Sequence, residues 1–278
     1  MRDPSLALPE GRIHAGIVPL HPAGDSSRDQ PLLRHLADAL PPHGVAVLRY
    51  DRRRGEPGHD VPLEAQAEDA RAAMAELRRL TGEPELPVGL WGFSQGAWAA
   101  MLAAADGAAY LVTVSGSGVS PAEQMRYGTA EQLRRAGYGE PELERLRELR
   151  AAYESYLRGA RRVDEVARIV DAAASEPWFG LSWVPRELPD AGGWPGMDFD
   201  PRTALERLRC PVLAFFGDDD EWVPVEPSIE RFRAAAAMAG HELSVVRLPG
   251  TSHEPRLESG AISPLYEREL TRWIAGLA

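Results

Sequence analysis

The sequence of 278 residues contains no lysine and no asparagine, and its single cysteine is Cys210. Without lysine there is no Schiff-base chemistry, no anchor for pyridoxal phosphate and no P-loop lysine. Without asparagine there is no N-glycosylation site and no Cys-His-Asn protease arrangement. One cysteine excludes an internal disulfide bond and any metal site with several thiolate ligands. Much covalent and metal chemistry is therefore excluded before any motif is considered.

Long apolar runs and a positive net charge are also absent. No apolar run approaches 18 residues, so no membrane-spanning helix and no membrane partner are predicted. The N-terminus has no basic start followed by an apolar stretch, so we expect no signal peptide and a cytoplasmic location. The formal net charge of −11 argues against nucleic acid as a partner, because nucleic-acid-binding proteins normally carry a basic face.

Short apolar runs alternate with helical patterns along most of the chain. Continuous apolar runs are typical of strands buried on both faces of a parallel sheet, and they occur at 13–20, 45–50, 88–91, 110–114, 212–216 and 243–248. Helical patterns lie at 30–40, 62–80, 95–105, 227–239 and 264–277. The alternation predicts an α/β fold, with a mostly parallel sheet of about six strands and helices on both faces.

The alternation stops between about 119 and 205. Residues 130–174 are rich in Arg, Glu, Ala and Leu and are predicted to be helical, whereas residues 177–201 are rich in proline and aromatic side chains. We therefore predict a core formed by 1–118 and 206–278. A helical insertion at 119–205 is expected to cap one end of the sheet.

Residues 88–100 read VGLWGFSQGAWAA and place Ser94 between Gly92 and Gly96. An apolar strand precedes this motif and a helix rich in small residues follows it, which is the setting of a nucleophile elbow. The two glycines suit a sharp turn, and the helix N-terminus adds a positive dipole where negative charge would develop. The alternative is a glycine-rich connection with an ordinary capping serine.

A serine nucleophile needs a base, and the base needs an orienting acid. Of the seven histidines, His253 lies in a loop after the last predicted strand, at the sheet edge where catalytic groups gather. The predicted strand at 212–216 is followed by the acidic residues Asp218, Asp219, Asp220 and Glu221. Composition does not choose among the three aspartates. A surface histidine and a solvated acidic turn are the alternatives.

Four segments of the sequence resemble the serine α/β-hydrolases, in the chain order of that family. They read GFSQG at 92–96, GDDDEWVP at 217–224, GTSH at 250–253 and RYDRRRGEPG at 49–58, the last being similar to the family's loop after its fourth strand. The acid segment of the family usually reads G-x-x-D-x-x-V-P, which lands on Asp220. The resemblance implies an α/β-hydrolase fold with a triad of Ser94, Asp220 and His253.

The resemblance also implies an oxyanion hole built from two backbone N–H groups. One donor is the residue after the serine, here Gln95. The other comes from the loop after the first core strand, which reads HPAGDSSRD at 21–29 and has proline where glycine is common. The family pattern puts this second donor at Ala23. Because only about 12 residues precede the first core strand, we expect the two antiparallel edge strands of many relatives to be absent.

We therefore expect a serine hydrolase that acts on a small-molecule acyl substrate, a carboxylic ester or thioester, through an acyl-enzyme. The alternatives are an acyltransferase or cyclase with the same triad, and a non-catalytic ligand-binding protein on the same fold. No metal or cofactor motif is found, so none is expected. The chain is expected to be a monomer or a homodimer. Candidate substrate contacts are Trp178, Phe179, Trp183 and Trp222, although the aromatic residues of the insertion could equally join it to the core.

Overall fold

Seven strands form one sheet in the computed structural model of the protein, which describes residues 4–55 and 61–277. The strands are β1 (Ser5–Ala7), β2 (Ala15–Leu20), β3 (Val45–Arg49), β4 (Val88–Phe93), β5 (Leu111–Val114), β6 (Val212–Gly217) and β7 (Leu243–Leu248). Their spatial order is β1-β3-β2-β4-β5-β6-β7. In this spatial order, every neighbouring pair after β1 is parallel: β3 with β2, β2 with β4, β4 with β5, β5 with β6 and β6 with β7. The six predicted strands and the parallel sheet are therefore confirmed.

The seventh strand, β1, corrects the expectation that antiparallel edge strands are absent. Its three residues pair antiparallel with β3, and Leu6 lies opposite Leu48. A strand of three residues is too short to show a period in the sequence. The short N-terminal segment therefore still contributes one edge strand to the sheet.

Nine α-helices lie within the described residues. They are α1 (Pro31–Ala39), α2 (Leu63–Thr81), α3 (Gln95–Ala104), α4 (Pro121–Arg135), α5 (Glu140–Leu157), α6 (Val163–Ala173), α7 (Pro201–Leu205), α8 (Val225–Ala239) and α9 (Pro264–Ala275). Short 3₁₀ turns occupy Pro41–His43 and Phe179–Ser182. In the described part of the chain, no helix has the length and apolar character needed to cross a membrane.

The sheet carries a hydrophobic core on each face, because successive side chains of a strand point to opposite sides. In β2, Val18 and Leu20 pack into the core beneath α2, α3 and α8, while Ile17 packs into the core beneath α1 and α9. All three side chains are fully or almost fully buried. The continuous apolar runs in the sequence follow from this burial on both faces.

The insertion (residues 119–205) leaves the sheet after β5 and returns before β6. Helices α4, α5 and α6 and the following segment to Met197 bury a third hydrophobic cluster, which is separate from the two cores of the sheet. The short helix α7 packs instead against the sheet core through Ala204 and Leu205.

The parallel strands bring several loops to one edge of the sheet. Ser94 follows β4, Asp220 follows β6 and His253 follows β7, each beyond the carboxyl end of its strand. Ligands and reacting groups of open α/β sheets lie at this edge. The topology therefore assembles the candidate site from segments that are far apart in sequence.

Candidate active site

Ser94 lies on a tight turn between β4 and α3, with φ of 52° and ψ of −121°. A positive φ is unusual for serine and is sustained only where the surrounding structure enforces it. A Cβ at Gly92 would lie 2.5 Å from the Gly96 oxygen, and a Cβ at Gly96 would lie 2.6 Å from the main-chain oxygens of Leu20 and His21. Both glycines are therefore required by close backbone approach, as the motif predicts.

The imidazole of His253 lies between the Ser94 hydroxyl and the Asp220 carboxylate. Its Nε2 is 2.9 Å from Ser94 Oγ, and its Nδ1 is 3.0 and 3.1 Å from the two carboxylate oxygens of Asp220. The ring also packs against Phe93, with the ring centroids 5.2 Å apart. The structure thus brings together the three residues that the sequence analysis selects as serine, base and acid.

The structure also distinguishes the three consecutive aspartates. Asp220 is buried, and its Oδ1 accepts hydrogen bonds from the backbone N–H groups of Trp222 (2.8 Å) and Val223 (3.0 Å). Asp218 and Asp219 are exposed, and Asp218 pairs with Arg247 across 2.7 Å. Asp220 is therefore the aspartate that is hydrogen-bonded to His253. The description of a solvated acidic turn fits only the other two.

Gln95 and Ala23 both lie beside Ser94. Gln95 is the first residue of α3, where backbone N–H groups point out of the helix end, and Ala23 lies in the loop after β2. The buried side chain of Gln95 accepts a hydrogen bond from Arg52 Nη1 at 2.9 Å. Arg52 belongs to the segment RYDRRRGEPG, of which residues 56–58 lie outside the described residues. This contact ties the loop after β3 to the turn that carries Ser94.

Two cavities meet at Ser94. The inner cavity has a volume of about 130 Å³ and is lined by Ala23, Val61, Leu63, Ser94, Gln95, Trp98, Pro121, Gln124, Met125, Trp194, Pro195 and Gly196. The outer cleft has a volume of about 630 Å³ and shares Ala23, Ser94, Gln124 and Met125 with the inner cavity. His253 lines the outer cleft together with Asp25, Trp183, Glu221, Trp222 and Glu254. In the described residues, no charged side chain lines the inner cavity.

Two of the four predicted substrate contacts lie in the outer cleft. Trp183 and Trp222 pack edge to face there, with ring centroids 5.1 Å apart and planes at 85°. Trp178 and Phe179 are instead buried in the hydrophobic cluster of the insertion and line neither cavity at Ser94. Apolar packing among the helices of the insertion holds these two rings, so the expectation that they contact substrate is corrected.

Three site residues in the insertion were not selected from the sequence. Trp194 lines the inner cavity, and it stands in the aromatic-rich stretch that could have indicated it. Gln124 and Met125 line both cavities from the first turns of α4, a helix whose start is marked in the sequence by Ser120 at the N-cap but whose position at the site is not. Among the residues that the structure describes, no group of three or more His, Cys, Asp or Glu side chains could hold a metal ion.

Residues 18–262 match the family model described as the alpha/beta hydrolase family, which is most of the chain. The chain belongs to the alpha/beta hydrolase family. This membership confirms the resemblance drawn from the sequence motifs and supports hydrolase activity in general. No curated protein matches the sequence.

This alpha/beta hydrolase is similar in fold to several solved structures. A proline iminopeptidase from Mycobacterium smegmatis is 18% identical with a TM-score of 0.58, over 99% of this chain and 94% of that one. A carboxyl esterase from Bacillus coagulans is 17% identical with a TM-score of 0.58, over 99% and 93%. An esterase from Thermogutta terrifontis is 20% identical with a TM-score of 0.52, over 99% and 93%. At these identities the likeness establishes the fold alone.

Proposed function

We propose that this alpha/beta hydrolase is a serine hydrolase that cleaves carboxylic esters or thioesters of small acyl groups. The observation that carries the proposal is the position of His253, 2.9 Å from Ser94 Oγ on one side and 3.0 Å from Asp220 on the other. With its Nδ1–H held by a carboxylate, an imidazole presents the lone pair of Nε2 to the hydroxyl. His253 can then accept the proton of Ser94 as the oxygen attacks the acyl carbon.

The remaining steps follow from the groups around Ser94. The N–H groups of Gln95 and Ala23 would stabilise the tetrahedral oxyanion, aided by the positive end of α3. His253 then donates its proton to the leaving group, and the acyl group stays on Ser94. Water, deprotonated by His253, attacks the acyl-enzyme and releases the carboxylic acid. Asp220 remains ionised and stabilises the imidazolium in both halves of the reaction.

The position of His253 also indicates which part of the substrate each cavity would hold. A general acid must lie within hydrogen-bond distance of the atom that it protonates, and His253 lines the outer cleft but not the inner cavity. The leaving group therefore belongs in the outer cleft and the acyl group in the inner cavity. The uncharged lining of the inner cavity suits a neutral acyl chain.

The size of the inner cavity limits the acyl group. An apolar cavity of about 150 Å³ holds one benzene molecule in another protein, and the inner cavity has about 130 Å³. This volume favours acyl groups of up to about six heavy atoms. We propose that the insertion acts as a cap that sets this limit, because it contributes Gln124, Met125 and Trp194 to the wall.

A fluorophosphonate probe tests the nucleophile directly. We expect the wild-type protein to be labelled on the peptide that contains Ser94, and the Ser94→Ala variant to remain unlabelled. Ser252→Ala is a matched control, since it removes an exposed hydroxyl from the same outer cleft. Labelling of Ser94→Ala at the wild-type rate would contradict the proposal. Mass spectrometry of the labelled peptide identifies the modified residue.

A further inference from the structure

The outer cleft has an unusual set of side chains around the position of the leaving group. Three carboxylates, Asp25, Glu221 and Glu254, line it together with the indoles of Trp183 and Trp222. Among the described residues no arginine lines this cleft, and the sequence contains no lysine. The cleft thus combines negative charge with aromatic surfaces, which is the chemistry that binds organic cations.

Nearby arginines neutralise these carboxylates only in part. Glu254 pairs with Arg256 across 2.9 Å, but both side chains are partly exposed, and such pairs interact weakly in water. Glu221 lies 3.9 Å from Arg135, which is at the limit of an ion pair. Asp25 accepts a hydrogen bond from the backbone N–H of Ser27. The negative charge of the cleft therefore remains available to a bound group.

Trp183 presents a largely solvent-exposed indole to the cleft. The residue is 60% exposed, and its Nε1 donates a hydrogen bond to Gln132 Oε1 at 3.4 Å. The indole lies edge to face with Trp222 at the cleft wall. Tryptophan provides the strongest aromatic surface for a cation. A cation bound between these rings and the carboxylates would be attracted by both.

Gln124 gives an independent indication that a molecule binds at this junction. The residue is only 8% exposed and lines both cavities beside Ser94. Among the described residues, its side-chain oxygen has no hydrogen-bond partner. A buried amide oxygen without a partner costs free energy, which a bound molecule can recover. An acceptor oxygen at this position adds to a lining that attracts positive groups.

We propose that the natural leaving group is an alcohol or thiol that carries an ammonium cation, a substrate class that rests on the proposed serine hydrolase function. In the reaction, Ser94 Oγ bonds to the acyl carbon and gives its proton to His253, the bond between the acyl carbon and the leaving oxygen or sulfur breaks, and His253 passes the proton to the departing atom. Water then gives its hydroxyl to the acyl carbon and its proton to His253, the bond between the acyl carbon and Ser94 Oγ breaks, and His253 returns the proton to Ser94. The products are a neutral-chain carboxylic acid and a cationic alcohol or thiol.

A pair of esters with the same shape and different charge tests the proposal. Acetylcholine and 3,3-dimethylbutyl acetate share the acetyl group, and a quaternary carbon replaces the ammonium nitrogen in the second. Each kcat/KM is divided by the rate of alkaline hydrolysis of the same ester, which removes the difference in intrinsic reactivity. We expect the cationic ester to be favoured about 2- to 30-fold, the range of cation–π attraction. A ratio at or below one would overturn the proposal.

Variants of Trp183 locate the preference in the outer cleft. Trp183→Ala should lower the ratio of cationic to neutral ester by about fivefold, and Trp183→Phe should retain part of it. Met238→Ala is the matched control, because Met238 is 73% exposed and lies on α8 outside the cleft. If Trp183→Ala and Met238→Ala leave the same ratio, the aromatic cation site is disproved.

A binding measurement separates this inference from the proposed function. Calorimetry on the Ser94→Ala variant compares choline with 3,3-dimethylbutan-1-ol, and neither measurement needs catalysis. Tighter binding of choline supports the cation site, and equal or weaker binding overturns it. Failure of the fluorophosphonate to label Ser94 in the wild-type protein would instead disprove the hydrolase mechanism. The two failures are thus read from different experiments.

Discussion

The hydroxyl of Ser115 donates a hydrogen bond to the main-chain oxygen of His253, and the two oxygens are 2.6 Å apart. Ser115 is buried at the carboxyl end of β5, and its backbone has a positive φ of 48°. Its N–H donates to the Phe215 oxygen, which fixes the residue against β6. This contact joins the loop of the proposed base to the centre of the sheet, and Ser115 lines neither cavity at Ser94, so its place is that of a positioning residue for His253.

Removal of the Ser115 hydroxyl should lower kcat. Ser115→Ala is the sharper variant, because serine already carries a Cβ at this positive φ and alanine removes only the hydroxyl, whereas Ser115→Gly also relieves backbone strain. We expect kcat to fall by about tenfold in Ser115→Ala, since the main-chain oxygen of His253 loses its donor at a cost of about 1–3 kcal/mol. Steady-state kinetics on a short-chain ester measures the effect. An unchanged kcat in Ser115→Ala would exclude this positioning role.

Replacement of the proposed acid should have a much larger effect than replacement of its neighbour. Asp220→Asn retains the shape of the side chain but no longer stabilises the correct tautomer of His253, and we expect kcat to fall by about 10⁴-fold. Asp219→Asn makes the same chemical change at an exposed position and should alter kcat little. Parallel assays of the two variants check this. Equal activities would mean that another group orients His253.

Enlargement of the inner cavity should change the preferred acyl length. Trp194→Ala removes an indole from the wall, so longer acyl chains should fit where only short chains fit in the wild type. We expect the ratio of kcat/KM for p-nitrophenyl octanoate to kcat/KM for p-nitrophenyl acetate to be about tenfold or more higher in Trp194→Ala than in the wild type. The reason is that each buried methylene contributes about 0.8 kcal/mol. A series from acetate to octanoate measures the shift. An identical chain-length profile in both proteins would place the acyl group elsewhere.

His21 should make the stability of the fold depend on pH. Burial, with the positive charge of Arg52 adding to it, lowers the pKa of His21 from 6.5 to about 4. The unfolded chain therefore binds this proton more readily than the folded chain between pH 6.5 and 4, and the free energy of unfolding falls as the pH is lowered through this window. The maximum loss is about 3 kcal/mol. Urea denaturation at several pH values should show a smaller loss in His21→Phe than in the wild type.

The insertion should depend on one buried carboxylate. Glu154 is fully buried on α5 and accepts hydrogen bonds from Arg126 of α4 and from Arg150, with Arg158 also within 3.7 Å. Glu154→Gln would leave these arginines around a neutral side chain, and we expect a loss of about 3 kcal/mol in the free energy of unfolding. Denaturant titration measures this loss.

An exposed pair in the same helix provides the control for Glu154. Glu144 is exposed and pairs with Arg147, so Glu144→Gln should change the free energy of unfolding by less than about 1 kcal/mol. If the two variants were equally stable, the buried cluster would contribute no more than a surface ion pair. The comparison separates the effect of burial from that of losing one carboxylate.

The sequence alone predicts the sheet and the residues around His253 because their signals are local and strong. Strands buried on both faces leave continuous apolar runs, and the two glycines beside Ser94 are required by backbone contacts. The choice of Asp220 among three aspartates depended on the family pattern. Physical grounds for that choice come from burial and two backbone hydrogen bonds, which composition does not encode.

The lining of the cavities was less accessible to prediction. An aromatic-rich segment contains rings with different roles, and the sequence does not separate Trp178, buried among helices of the insertion, from Trp183, exposed in the outer cleft. Gln124 faces Ser94 only because of how α4 lies across the sheet edge. Such contacts depend on the packing of distant elements, so no local pattern marks them.

Trp222 belongs at once to the cleft wall and to the support of Asp220. Its indole lines the outer cleft, while its peptide N–H donates to the carboxylate that orients His253. A substitution that reshapes the cleft at position 222 can therefore also displace the acid two residues earlier. In evolutionary terms, substitutions at Trp222 are epistatic with the position of Asp220, whereas substitutions at Trp183, which lies on a separate segment, couple to Asp220 only through the edge contact with Trp222.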